Sequence, residues 1–152
     1  MSRFFLYLTK NAMKKKGLSC FLFLLPLYVC MGQFQLTIQV ENIKIPQGQL
    51  LLAIYDSHEN YDAEKSPKHF MKQLAITTNT TRIKFEDLPA GYYAIKAFHD
   101  TNNNNKLDTN LIGLPKEQYG FSNNVTGRLG PPSFEQSRFS IQGDTVHILQ
   151  LR

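Results

Sequence analysis

From Phe34 to Glu41 the chain alternates without a fault, with Phe34, Leu36, Ile38 and Val40 apolar and Gln35, Thr37, Gln39 and Glu41 polar. Period two sends the two sets to opposite faces of a strand, so this segment predicts a half-buried strand and excludes a helix. Pro46-Gln47-Gly48 then turns the chain into the continuous apolar run Leu50 to Tyr55. Such a run is expected of a strand covered on both faces, and therefore central. The polar stretch Asp56 to Lys68 reads as a loop with room for a helical turn. Strands are expected over Gln73 to Thr78 and Thr81 to Glu86, with Asn79-Thr80 between them in hairpin position and Ile83 and Phe85 facing in. Leu88-Pro89-Ala90-Gly91 is a turn, because proline fixes φ and glycine closes it without a Cβ clash. Tyr92 to His99 leaves that turn as a strand, and Arg138 to Ile141 and Thr145 to Leu151, split by Gln142-Gly143-Asp144, complete the set. Seven short strands, no sustained helical period and no internal repeat predict an all-β, seven-stranded antiparallel Ig-like sandwich with one long irregular loop region.

Ahead of the first strand, Lys14 to Lys16 precede an apolar run from Cys20 to Met31 that only Pro26 interrupts. A positive start and a core too short to cross about 30 Å of bilayer predict that residues 1–32 are a cleaved signal peptide and 33–152 one β-sandwich domain. Met13, directly before the lysines, rivals Met1 as initiator. Cys30 and Gly32 provide the small side chains that a signal peptidase needs for a cut before Gln33. A lipid on Cys30 is the rival processing, since Leu27 lies three residues before it, but Val29 stands where lipoprotein processing prefers a smaller residue. Membrane attachment is expected only through an uncleaved leader or that lipid, and the destination is periplasm, cell surface or extracellular space.

Charge points the same way once it is located. Five of the 17 basic residues precede Gln33 and no acidic residue does, leaving 12 against 12 in the remainder, so a nucleic-acid partner is not expected. Both cysteines, Cys20 and Cys30, also fall in the leader, which removes disulfides, thiolate metal sites and a cysteine nucleophile from the exported part.

The segment between His99 and Arg138 is dense in Asn, Gly, Pro and Asp, yet it keeps Leu107, Leu111, Ile112, Leu114, Tyr119, Phe121 and Phe134. A structureless stretch of this length usually binds something or is disordered, and the apolar content argues against disorder. Its first part places oxygen-bearing side chains at Asp100, Asn102, Asn104 and Asp108, with the Lys106 carbonyl between the last two. These are positions one, three, five, nine and seven of an EF-hand-type calcium loop, where alternate groups turn towards one centre and supply hard oxygens. Position six is Asn105 instead of glycine, and position twelve is Leu111, so the bidentate carboxylate is missing. Any calcium site should be weak, with Kd of about 10⁻⁴ to 10⁻³ M. An Asn-rich turn closed by its own hydrogen bonds, without metal, is the alternative.

Further on, Tyr119, Phe121, Ser122, Asn123 and Asn124, with His99, form a candidate binding surface of aromatics among polar groups. The aromatics read more readily as plugs that fold the loop onto the sandwich, since aromatics in loops usually turn inward. His99 beside Asp100, and Asp108 beyond, raise a hydrolase or isomerase as the rival function, although His99 shares a strand face with Tyr93, Ile95 and Ala97 and so fits a core position. His58, His69 and His147 have no zinc-pair spacing, and no Ser-His-Asp order or phosphate loop can be placed.

Ala53-Ile54-Tyr55-Asp56-Ser57, Phe85 to Ala94, Phe98-His99-Asp100, Gly120-Phe121-Ser122-Asn123-Asn124 and Gly130-Pro131-Pro132-Ser133-Phe134 together resemble the bacterial family catalogued as domain of unknown function 2141. The resemblance implies an exported envelope protein with a prealbumin-like or carboxypeptidase-regulatory-like sandwich and no established activity. The family loop usually reads Asp-x-Asn-x-Asn-Gly, and Asn105 replaces that glycine here. The expectation is a non-catalytic envelope module that holds an unknown ligand or protein through residues 100–134.

Overall fold

The computed structural model describes residues 32–64, 67–73, 75–128 and 130–152, with backbone alone over 69–73. The expected signal peptide therefore lies, apart from Gly32, outside the described residues. Among them no helix is long and apolar enough to cross a membrane. The strands are β1 (Gln33–Glu41), β2 (Gln49–Tyr55), β3 (His69–Gln73), β4 (Thr81–Pro89), β5 (Gly91–Asp100), β6 (Tyr119–Phe121), β7 (Phe139–Ile141) and β8 (Thr145–Gln150). Two short helices, α1 (His58–Asp62) and α2 (Phe134–Ser137), join them.

The chain is mostly β and forms two sheets. One has the order β4-β1-β8, and the other runs β3-β2-β5-β6, with β7 also pairing β5. The alternation in β1 does what period two requires: Leu36, Ile38 and Val40 are buried and face Phe85, Ile83 and Thr81 of β4 across the ladder. Leu50, Leu52 and Ile54 from β2 and Tyr93, Ile95 and Ala97 from β5 meet them from the second sheet, and Leu149, Leu151, Ile141 and Ile76 complete one core. β2 is also covered on its other face, as its unbroken apolar run predicts, since Leu51 and Tyr55 are buried too.

Three expectations need correction. β1 and β8 pair in parallel, so the fold is not wholly antiparallel. The strand expected over Gln73 to Thr78 lies earlier, at His69–Gln73, where its backbone pairs β2 from Leu50 to Ile54. No hairpin joins it to β4, because β3 and β4 belong to different sheets. Residues 75–80 cross between the sheets instead, with Ile76 sunk in the core and Asn79 exchanging hydrogen bonds with both main-chain groups of Ile43. The Leu88-Pro89-Ala90-Gly91 turn likewise carries the chain from one sheet to the other.

Both helices lie over the outer face of the second sheet. Ser57 caps α1 by accepting from the Asn60 N–H, and Ser133 and Gln136 form a capping box on α2. Tyr61 and Phe134 from these helices pack with Tyr55 and Ala94 into a second apolar cluster. The Tyr61 hydroxyl is 2.8 Å from Ser137 Oγ in a buried pair. Burial outweighs that bond and pushes the phenol up to about 12. Tyr61→Phe removes the hydroxyl and strands Ser137, so a loss of about 1–2 kcal/mol in chemical denaturation is expected.

Candidate functional site

β2 and β5 deliver the loop residues to one end of the sandwich. Asp100, the last residue of β5, has no exposed surface, and its Oδ2 accepts from Gln49 Nε2 at 2.6 Å and the Asn105 N–H at 2.7 Å. Oδ1 accepts from the Asn104 N–H at 3.1 Å. Burial works against the charge, but the Gln49 amide and the backbone N–H groups of the loop outweigh it and hold the carboxyl below its ordinary value of 3.8. Asn103 and Asn105 take φ of 61° and 63°, the left-handed turns that let the backbone curl around this carboxylate.

On the far side of the loop, Asp108 accepts from Asn102 Nδ2 at 2.7 Å and from Asn104 Nδ2 at 3.0 Å. Asn102 Oδ1 in turn accepts from the Asn104 N–H, and Asn104 Oδ1 from the Lys106 N–H. The spacing Asp100, Asn102, Asn104, Asp108 thus does bring these four side chains into one hydrogen-bonded knot. Among the described residues, no three His, Cys, Asp or Glu side chains stand together as a metal cluster. The knot is built of two carboxylates and two amides, with Leu111 at the twelfth position pointing into solvent.

Glu117, which the sequence did not single out, clasps the loop from below. Its buried carboxylate accepts from the Thr101 N–H and hydroxyl and from the Asp108 N–H, at 2.8, 3.0 and 3.0 Å. Asn110 does similar work at the tip, where its Oδ1 accepts from the Ile112 and Leu114 N–H groups. That closes a tight turn beneath the Thr109–Pro115 bridge, and the turn holds out Leu111, Ile112 and Leu114 at 107, 79 and 57% exposure.

His99 is buried. Its Nε2 is 2.6 Å from the Gln47 carbonyl oxygen, its backbone N–H donates to Gln118 O, and Nδ1 has no partner among the described residues. The carboxylates of Asp100 and Asp108 accept from amide groups, and among the described residues no hydrogen bond joins either of them to the His99 ring. Ser122, Asn123 and Asn124 are spent on the fold. Buried Ser122 Oγ accepts from the Ile95 N–H and donates to Ser137 O. Asn123 and Asn124, both left-handed, bond the main chain of Arg138 and of Gln150 and Ile148. The Asn123 N–H also donates to Nε2 of His147, a ring that burial holds below its ordinary pKa.

Tyr119 and Phe121 are half-buried and packed edge to face, 5.9 Å between ring centroids. With Leu107 and Pro131 they line two adjoining hollows of about 490 and 480 Å³, one reaching Leu114 and Arg128, the other Phe98 and Lys96 on the outer face of the sheet. Together these make one apolar groove between the loop and β5.

The sequence model of a family described as "Uncharacterized protein conserved in bacteria (DUF2141)" matches residues 38–149. The chain belongs to this family. The matched span of this DUF2141 chain takes in the whole Asn-rich knot, the Glu117 clasp and the groove apart from Arg152. No curated protein and no solved structure matches the chain.

Proposed function

We propose that this DUF2141 protein is exported to the bacterial envelope and acts there as a non-catalytic binding module, its ligand lying in the groove between the 105–131 segment and β5. The observation that carries this is the groove itself: Leu107, Tyr119, Phe121 and Pro131 leave apolar surface open, with Lys96 and Arg128 also in its lining. Concave apolar surface with a few charged groups at its edge is the usual form of a ligand site. The test is a binding screen of the exported protein against envelope glycans and peptides, with Leu107→Asp as the paired variant. Capture by the parent and loss in Leu107→Asp at unchanged melting temperature is the expected result. Ligands that bind both proteins equally would place recognition elsewhere.

Export is tested by mass spectrometry of protein recovered from cells, which should begin at Gln33. A diacylglyceryl mass on Cys30 would make the protein a lipoprotein instead.

A weak Ca²⁺ site in the knot is a second part of the proposal, supported by Asn105 adopting the left-handed turn that position six requires. Asp100, Asn102, Asn104, Asp108 and the Lys106 carbonyl would hold the ion once the two amides, whose nitrogens face Asp108, turn their oxygens inward. Calcium at about ten times its Kd stabilises by about 1.4 kcal/mol. That is a rise of about 3–6 °C in melting temperature for a domain of this size. Asp108→Asn should abolish the rise, and no rise in chelator-stripped parent protein would leave the knot a purely hydrogen-bonded turn.

A further inference from the structure

Leu111 and Ile112 are the most exposed large apolar side chains among the described residues, and they are neighbours at the tip of the Asn110 turn. From Leu111 to Pro115 every residue is exposed and none has a polar side chain. A Cβ added at Gly113 would meet no atom within 4 Å, so the tip is convex and stands clear of the domain. Single exposed apolar residues are ordinary on a protein surface, whereas a contiguous run marks a contact.

The main chain of the tip is closed on itself. The Ile112 and Leu114 N–H groups donate to Asn110 Oδ1, and the Gly113 N–H donates to the Asn110 carbonyl oxygen. The Asn110 N–H donates back to Leu114 O. In water such bonds contribute little, because solvent would replace them, but where water is excluded each unpaired amide is costly. The Thr109–Pro115 bridge fixes the base of the turn, so the tip is already ordered before any contact is made.

Three cations lie near this tip. Lys116 follows Pro115, Lys44 and Ile45 line one cleft with both, and Arg128 shares a hollow with Gly113 and Leu114. All three cations are exposed, and none has an ion-pair partner among the described residues. The carboxylates of Asp108 and Glu117, nearest in sequence, accept hydrogen bonds from the loop itself, and Glu117 is buried. A convex apolar tip beside unpaired cations is complementary to an anionic lipid surface, which deforms around the first and offers phosphates to the second.

We propose that the 110–116 turn inserts into the surface of a bilayer containing anionic lipid, with Leu111 and Ile112 entering the headgroup–acyl boundary and Lys44, Lys116 and Arg128 drawn to the phosphates. This contact is reversible and additional to any leader or lipid at the N-terminus. With Leu114, the tip has about as many side-chain carbons as one acyl chain of the myristoyl kind, which binds with a K of about 10⁴ M⁻¹. Half-binding is therefore expected near about 0.1 mM lipid. Leu111 and Ile112 do not line the groove, so the two surfaces are distinct.

The chain has no tryptophan, so one placed at the tip reports on that position alone. The test titrates Ile112→Trp with vesicles of phosphatidylglycerol and phosphatidylcholine in equal parts, and of phosphatidylcholine alone, up to about 5 mM lipid. Its emission should shift to the blue on the mixed vesicles, be quenched by brominated acyl chains, and need about tenfold more lipid when phosphatidylglycerol is left out. Tyr92→Trp, exposed at the opposite end of β5, should not shift. Adding Leu111→Ser to the tip reporter should weaken binding by about tenfold, and adding Lys44→Ala/Lys116→Ala should remove the preference for phosphatidylglycerol. An unshifted tip reporter, equal shifts at both reporters, or the same response to both vesicles would overturn the proposal. A blue shift that grows with protein concentration without vesicles would seat the tip in a second copy of the chain and overturn it too. Leu107→Asp should leave the response unchanged, so the groove and the tip can fail independently.

Discussion

Gly48→Val is expected to cost about 2–5 kcal/mol. Gly48 sits at φ +74°, and a Cβ there would collide with the carbonyl oxygen of Asp100 and lie 2.7 Å from Thr101 Cα. A left-handed backbone costs a side-chain-bearing residue about 1–2 kcal/mol. Forcing atoms into filled space costs about 1–3 kcal/mol more, and here the obstacle is main chain, which cannot swing away as a side chain can. A β-branched residue makes both worse. Gly113 provides the control, because its φ of +81° is similar but nothing lies within 4 Å of the added Cβ. Gly113→Val should therefore lose only the conformational part, about 1–2 kcal/mol. Urea unfolding measures both, with the midpoint falling and the slope unchanged if the fold survives. Equal losses at the two glycines would mean that the close approach of Gly48 to the start of the Asn-rich loop does not exist in solution.

That approach explains why the site sits where it does. β2 begins beneath the end of β5, Gln49 pairs with Asp100 in the ladder, and its amide reaches both Asp100 and Asn105. The knot is thus attached to the central pair of strands, not hung on a free loop.

How much of this was legible follows from how local each signal is. β1, β2, β4, β5 and β8 were readable because burial on one face, or on both, writes its period into consecutive residues. β3 was misplaced because its position depends on backbone pairing with Leu50–Ile54, far away in sequence. β6 is three residues long and carries no period at all, and the parallel pairing of β1 with β8 joins elements from opposite ends of the domain. α2 did have a local signal, the Ser133…Gln136 capping box, hidden within a stretch that otherwise reads as turn. In the site, the alternate oxygen-bearing residues from Asp100 to Asp108 announced a knot that does form. Ser122, Asn123 and Asn124 gave no local sign of the main-chain bonds they make, because polar residues beside aromatics look the same whether their hydroxyl and amides face a ligand or the chain itself. Glu117 carried no warning, since a lone glutamate in a loop shows nothing of the three hydrogens it will accept.

Asp100→Ala tests the knot from its buried end, with an expected loss of about 2–4 kcal/mol, because hydrogen bonds to a charged group contribute about 1.5–3 kcal/mol and their donors would be left unpaired. Gln49 Nε2 and the N–H groups of Asn104 and Asn105 all point at this carboxylate. Asp108→Ala should cost far less, since its partners Asn102 and Asn104 are exposed and water can replace it. The pH dependence has a definite sign. The hydrogen-bonded carboxyl is held below its ordinary value of 3.8, so in the unfolded chain it takes up a proton more readily than in the folded one. Its stabilisation is therefore complete above 3.8 and is lost as the pH falls below that value through the lower folded pKa. The parent protein should lose stability over that acid range, and Asp100→Ala should lose less there, so that the two unfolding curves converge at low pH. A constant gap between them from neutral to strongly acid pH would mean that Asp100 stabilises the loop by packing and not by charge.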